Sequence, residues 1–165
     1  VRDSRYKSEW NKTRKDVTRV YQKYIRIIQS LSSTYPNYIQ ITSKYEFQIC
    51  AYYHDAMVDM YSKLVNKIEG LNSSDVDEAI NHFDWMFNYI SSNNEPRAFT
   101  QTFMILLGYQ YLSYYKLCNP PTKQIIQGKL TQMIQTLTIY YTPSNALSFI
   151  ILKNGYRSIV GDNIN

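Results

Sequence analysis

Apolar residues recur at intervals of three and four along most of the chain, and strict alternation persists nowhere, so the sequence calls for helices. A first helix is expected from about Ser4 to Leu31. It ends before Pro36, whose ring cannot continue a helix and which also restrains Tyr35. A second helix is expected from the capping pattern Ser43-x-x-Glu46 to near Gly70, with Phe47, Met57, Tyr61 and Leu64 on one buried stripe. A third follows "NSSDVDE", whose Ser and Asp oxygens suit the free N–H groups of a helix start. The fourth opens at Asn94-Glu95-Pro96 and runs to about Cys118; it is apolar nearly all round and therefore central. Pro120-Pro121 starts a fifth, and Thr142-Pro143 separates it from a sixth ending near Gly155. The expected fold is all-α: a basic helical arm over residues 1–36, then a four- to five-helix bundle over residues 37–165.

At 165 residues the chain suits a single ordinary core. Its 44% hydrophobic content excludes a disordered chain. Charged residues make up 19%, against about 25% in an average domain. The 17 tyrosines are unusual. Tyr109, Tyr111, Tyr114, Tyr115, Tyr140 and Tyr141 cluster in a half that is almost uncharged, and they are expected to divide between core and subunit contacts. Residues 1–26 have no apolar signal core. The chain opens on Val1 rather than Met, and a preceding segment is expected. Leu130 to Leu152 is an uncharged run, but Gln132, Gln135, Pro143 and Asn145 within it point to two packed helices rather than a membrane span.

Charge is partitioned along the chain. Residues 1–26 carry nine bases against three acids, residues 27–95 three bases against nine acids, and residues 96–165 six bases against Asp162 alone. Such segregation suits head-to-tail contacts between copies, with the first stretch left for a polyanion. On a helix, Arg5, Lys12, Lys15, Arg19, Lys23 and Arg26 occupy one arc, with Arg2, Lys7 and Arg14 on its flank. Trp10, Val17, Tyr21, Tyr24 and Ile28 fall on the opposite arc and are expected to bind a partner. The nine bases are expected to neutralise nucleic-acid phosphates, with counterion release and a steep salt dependence. Asn11 and Gln22 are the only amides in residues 1–26, too few to read bases. A membrane-surface helix would want Leu, Phe or Trp in bulk on its apolar face, which here is mainly Val, Tyr and Ile.

No catalytic constellation emerges. Asp55 and Asp59 share a helix face but read as solvated acids, and no glycine-rich phosphate loop is present. Cys50, His54, His82 and Cys118 have the composition of a zinc site without paired ligand spacing, so neither a metal nor another cofactor is expected.

The stretch "RDSRYKSEWNKTRKDVTRVYQKY", the break at Pro36 and the tyrosine-rich helices resemble the major coat proteins of filamentous and rod-shaped archaeal DNA viruses. That resemblance implies a structural, non-enzymatic subunit of a helical virion. Its N-terminal helix would wrap double-stranded DNA in an A-like form without reading sequence. It implies a homodimer, or a heterodimer with a related coat protein, that polymerises into a filament and in some members contacts a lipid envelope. The alternatives are a helical protein–protein interaction module, such as a viral regulator, or a non-specific DNA-binding regulator.

Overall fold

A computed structural model describes residues 2–92 and 97–161, and every element among them is helical. The chain divides into two compact units, residues 1–70 and residues 71–165. The division differs from the one expected at Pro36, because the first helix pairs with the second.

In the first unit, α1 (Arg2–Thr34) and α2 (Ile39–Lys67) form a helical hairpin. No Gly or Pro interrupts residues 1–35, so α1 runs 33 residues, roughly 50 Å. A 3-10 turn over Pro36–Tyr38 reverses the chain and leads directly into α2. Ser43 therefore sits inside α2 instead of capping it, which corrects the expected start. Thr42 locks the turn: it accepts a hydrogen bond from Ser32 at 2.7 Å and donates to the Tyr38 carbonyl at 3.2 Å. The pairing is antiparallel. Trp10 meets Met60 and Tyr61, Thr18 and Tyr21 meet Tyr53, and Ser32 meets Thr42.

The second unit is a four-helix bundle of α3 (Ser73–Ser91), α4 (Ala98–Tyr115), α5 (Pro120–Tyr140) and α6 (Ala146–Val160). Asn72, rather than the Ser and Asp residues expected to do so, caps α3, accepting from the Asp75 N–H at 2.8 Å, and Asn119 caps α5, accepting from the Thr122 N–H at 2.9 Å. Pro120 occupies the first turn of α5. The expected opening of α4 at Asn94-Glu95-Pro96 lies outside the described residues. Gly155 does not end α6, which continues to Val160 and stops at Gly161 with φ +79°. The uncharged run from Leu130 to Leu152 is the end of α5, a 3-10 turn and the start of α6. No described helix is long and apolar enough to cross a membrane.

Helix α4 packs against α3, α5 and α6. Tyr111 and Tyr114 are fully buried, and the rings of both meet the edge of Phe83. Tyr109 and Tyr115, part-buried, bond across to neighbouring helices: Tyr109 donates to the Ser148 carbonyl of α6 and Tyr115 accepts from Gln127 of α5, both at 2.5 Å. Buried Gln101 accepts from the Thr142 N–H at 2.9 Å and ties the start of α4 to the α5–α6 turn.

Two reciprocal close approaches set the α4–α6 distance. A Cβ on Gly108 would lie 2.7 Å from Leu152, and one on Gly155 would lie 2.7 Å from Leu112. Leu152 is fully buried and has little room to yield. Gly108→Val should therefore lower stability by about 1–3 kcal/mol through overpacking. Gly128, in the open on α5, should gain about 0.5–1 kcal/mol as Ala. Chemical denaturation followed by circular dichroism measures both; equal effects at the two sites would contradict the packing.

Candidate nucleic-acid interface

At 100° per residue, the α1 side chains that bond to α2 place their seam on one side of the helix. Arg5, Lys12, Lys15, Arg19, Lys23 and Arg26 lie on the side away from it, and all six are exposed. Arg5 to Arg26 covers about 31 Å of helix. Arg5 pairs with Glu9 at 3.5 Å and Arg19 with Asp16 at 3.3 Å, both on the open surface. Such pairs are worth little and yield to a phosphate. Lys12, Lys15, Lys23 and Arg26 have no ionic partner among the described residues. The hairpin thus presents a cationic ridge on its outer edge.

The other three predicted bases lie apart from that ridge. Lys7 and Arg14 project over the Trp10 ring, 5.1 and 6.0 Å from its centre. The Arg2 side chain lies outside the described residues. Lys7, Lys12 and Lys15 border a shallow depression of about 620 Å³ together with Ser4, Ser8 and Asn11. Ser4 and Ser8 carry no charge and so do not show in the charge pattern, and Asn11 stands out in the sequence only as an amide too isolated to read bases. Their helical phase, in the same arc as Lys12 and Lys15, was the available signal. Hydroxyl and amide groups among cations are common phosphate donors.

The five expected partner-binding residues divide. Trp10 is 6% exposed and donates its indole N–H to the Met60 carbonyl at 2.8 Å. Tyr21 stacks on Tyr53 with ring centres 3.9 Å apart, and its hydroxyl lies 3.4 Å from the Cys50 sulfur. Val17 and Ile28 are half-buried, and only Tyr24 is exposed. The wide apolar stripe is thus mostly the seam with α2 of the same chain. What remains open is a neighbouring strip of Val20, Tyr24, Ile27 and Leu31, joined from α2 by Ile41, Tyr45 and Tyr52. In an antiparallel pair these phases put both strips on one side of the hairpin. All seven are 41–77% exposed, and their grouping on one side is of the kind that marks an interaction surface.

The remaining candidate chemistry is accounted for locally. Asp59 accepts from Lys63 at 2.9 Å, and Asp55 is pushed up by partial burial and by Asp59. Both cysteines are free; the Cys118 thiol donates to the Tyr114 carbonyl at 3.3 Å, and burial raises its pKa to about 11. Among the described residues, no group of three or more His, Cys, Asp or Glu side chains is placed to hold a metal ion.

Comparison with protein-family models, with curated proteins and with solved structures finds no match to this chain.

Burial raises the pKa of Tyr21, with the Cys50 contact adding to it. Burial likewise raises Tyr111 and Tyr114, helped by Asp84 and Asp75 respectively. The fold therefore holds the neutral phenols, whereas unfolded tyrosines ionise near pH ~10. Their contribution to stability is complete below that pH and is lost as pH rises above it. Absorbance titration should show a set of tyrosines that ionise only as helicity is lost. All of them titrating together near pH ~10 in a fully helical protein would contradict the buried assignments.

Proposed function

We propose that this chain is a structural coat subunit that grips duplex DNA through the outer edge of α1 and polymerises into a helical virion. The observation that carries the reading is the six-base ridge, turned outward by the hairpin seam and lying beside an exposed apolar strip. A ridge of this kind touches phosphates and sugars along a groove edge and supplies no base code. The apolar strip would receive the corresponding helices of a second coat subunit, identical or related. Two hairpins closing on one duplex would exclude water from its phosphates, a condition that favours an A-like over a B-like form. Contact with a lipid envelope belongs to the same proposal as an outer-surface role. No step in this function needs a cofactor or a catalytic group.

The exposed strip also favours a second reading, in which the hairpin is a protein-interaction module and the ridge only keeps it soluble. Duplex binding separates the two. Titration with random-sequence duplex across a salt series should give a log–log slope of about −5 for six neutralised phosphates. Replacing Lys12, Lys15 and Lys23 by Gln should weaken binding equally on all sequences and reduce the slope by about 3. Failure to bind at low salt, or a slope unchanged by the triple replacement, would remove the coat reading in favour of the interaction module.

A further inference from the structure

Charge in the second unit is divided by helix. Residues 71–92 carry four carboxylates and no Lys or Arg; residues 97–161 carry six bases and no carboxylate. All the described acids of this unit are therefore on α3 or its first turn: Asp75, Asp77, Glu78 and Asp84. Asp84 is used internally, bound by Lys129 at 2.5 Å and by the Tyr111 hydroxyl at 2.7 Å. Asp77 and Glu78 are exposed on the outer side of α3.

Helices α3 and α6 lie on opposite sides of the α4–α5 pair. Both pack on α4, and they make no contact with each other. On α5, Lys129 reaches α3 through Asp84, whereas Thr131 reaches α6 through Tyr156. Those two α5 positions are about 160° apart in helical phase. The side of the unit remote from α3 contains a groove of about 500 Å³ between α5 and α6. Lys153 and Arg157 line it with Thr131, Ile134, Gln135 and Tyr156, and the exposed Ile139 stands at its edge. Lys153 lies 4.7 Å from the Phe149 ring centre, and neither base has an ionic partner among the described residues. One side of the unit thus carries its described acids, with Lys123 near Asp77 around Cys118, and the other is a concave basic site.

We propose that the α5–α6 groove of one copy receives the acidic start of α3 from the next, with Lys153 and Arg157 facing Asp77 and Glu78. The two surfaces are different patches on opposite sides of one unit. The contact is therefore heterologous and repeats in one direction, as an open polymer requires. Complementary charge also fixes the order of subunits, because a reversed neighbour would meet like charge. The contact deepens the coat reading and rests on it for its purpose, so its test uses the full chain without nucleic acid.

Sedimentation of the intact chain at low salt should show association that increases with concentration and is dispersed by salt. K153E/R157E and D77K/E78K should each raise the half-association concentration about tenfold or more, with helicity unchanged. Mixing the two variants, or combining all four changes in one chain, should restore association. An intact chain that remains monomeric, or charge reversals without effect, would overturn the proposal. So would loss of association that neither the mixture nor the fourfold variant rescues. A fall in duplex affinity for K153E/R157E with self-association untouched would overturn it too, and would assign the groove to nucleic acid. Duplex binding by α1, measured separately, stands or falls independently of these outcomes.

Discussion

The seam between α1 and α2 decides what the first 70 residues can do. Its firmest point is Trp10, buried against the edge of Tyr61 and bonded to the Met60 carbonyl 50 residues away. The stacked Tyr21–Tyr53 pair holds the middle and the Ser32–Thr42 bond the turn. Because the seam fixes the rotation of α1 about its own axis, it determines which residues are left outside. Six bases then line one edge and an apolar strip lines an adjoining side. A free helix of the same sequence would have the same amphipathicity but could turn either face to any partner.

The second unit follows a different rule. Its core is ordinary close packing around α4, with Gly108 and Gly155 allowing α6 to approach through reciprocal contacts with Leu152 and Leu112. The separation of charge outside that core is less ordinary. The described acids of this bundle all sit on one helix, and Asp84 is the one that ties that helix to α4 and α5, through Tyr111 and Lys129. Between copies, the same arrangement gives direction. In the proposed function the first unit would supply the grip on the duplex and the second a rule for adding neighbours.

Much of this was legible in the sequence, for reasons that can be named. Pro120 marks a helix start because its fixed φ acts within one turn, and the polar stretch "NSSDVDE" marks another, although its cap is Asn72 and not the Ser or Asp expected. The basic arc was also legible, since helical phase alone places Arg5, Lys12, Lys15, Arg19, Lys23 and Arg26 together. What failed was whatever depended on a neighbour. The stripe through Trp10, Val17, Tyr21 and Ile28 could have faced another subunit or another part of the chain, and amphipathicity is the same in both cases. Only the pairing with α2 resolves it, and the domain division moves from Pro36 to Gly70 for the same reason. Ser43-x-x-Glu46 misled because the turn at Pro36–Tyr38 already starts α2 four residues earlier.

The central claim is that the outer edge of α1 is the surface that meets the duplex. Lysine acetylation mapped by mass spectrometry, with and without random-sequence duplex, tests it residue by residue. The account predicts strong protection of Lys12, Lys15 and Lys23 on every duplex sequence, while Lys116 and Lys123 in the second unit stay reactive. Uniform reactivity with and without DNA, or protection confined to the second unit, would contradict it.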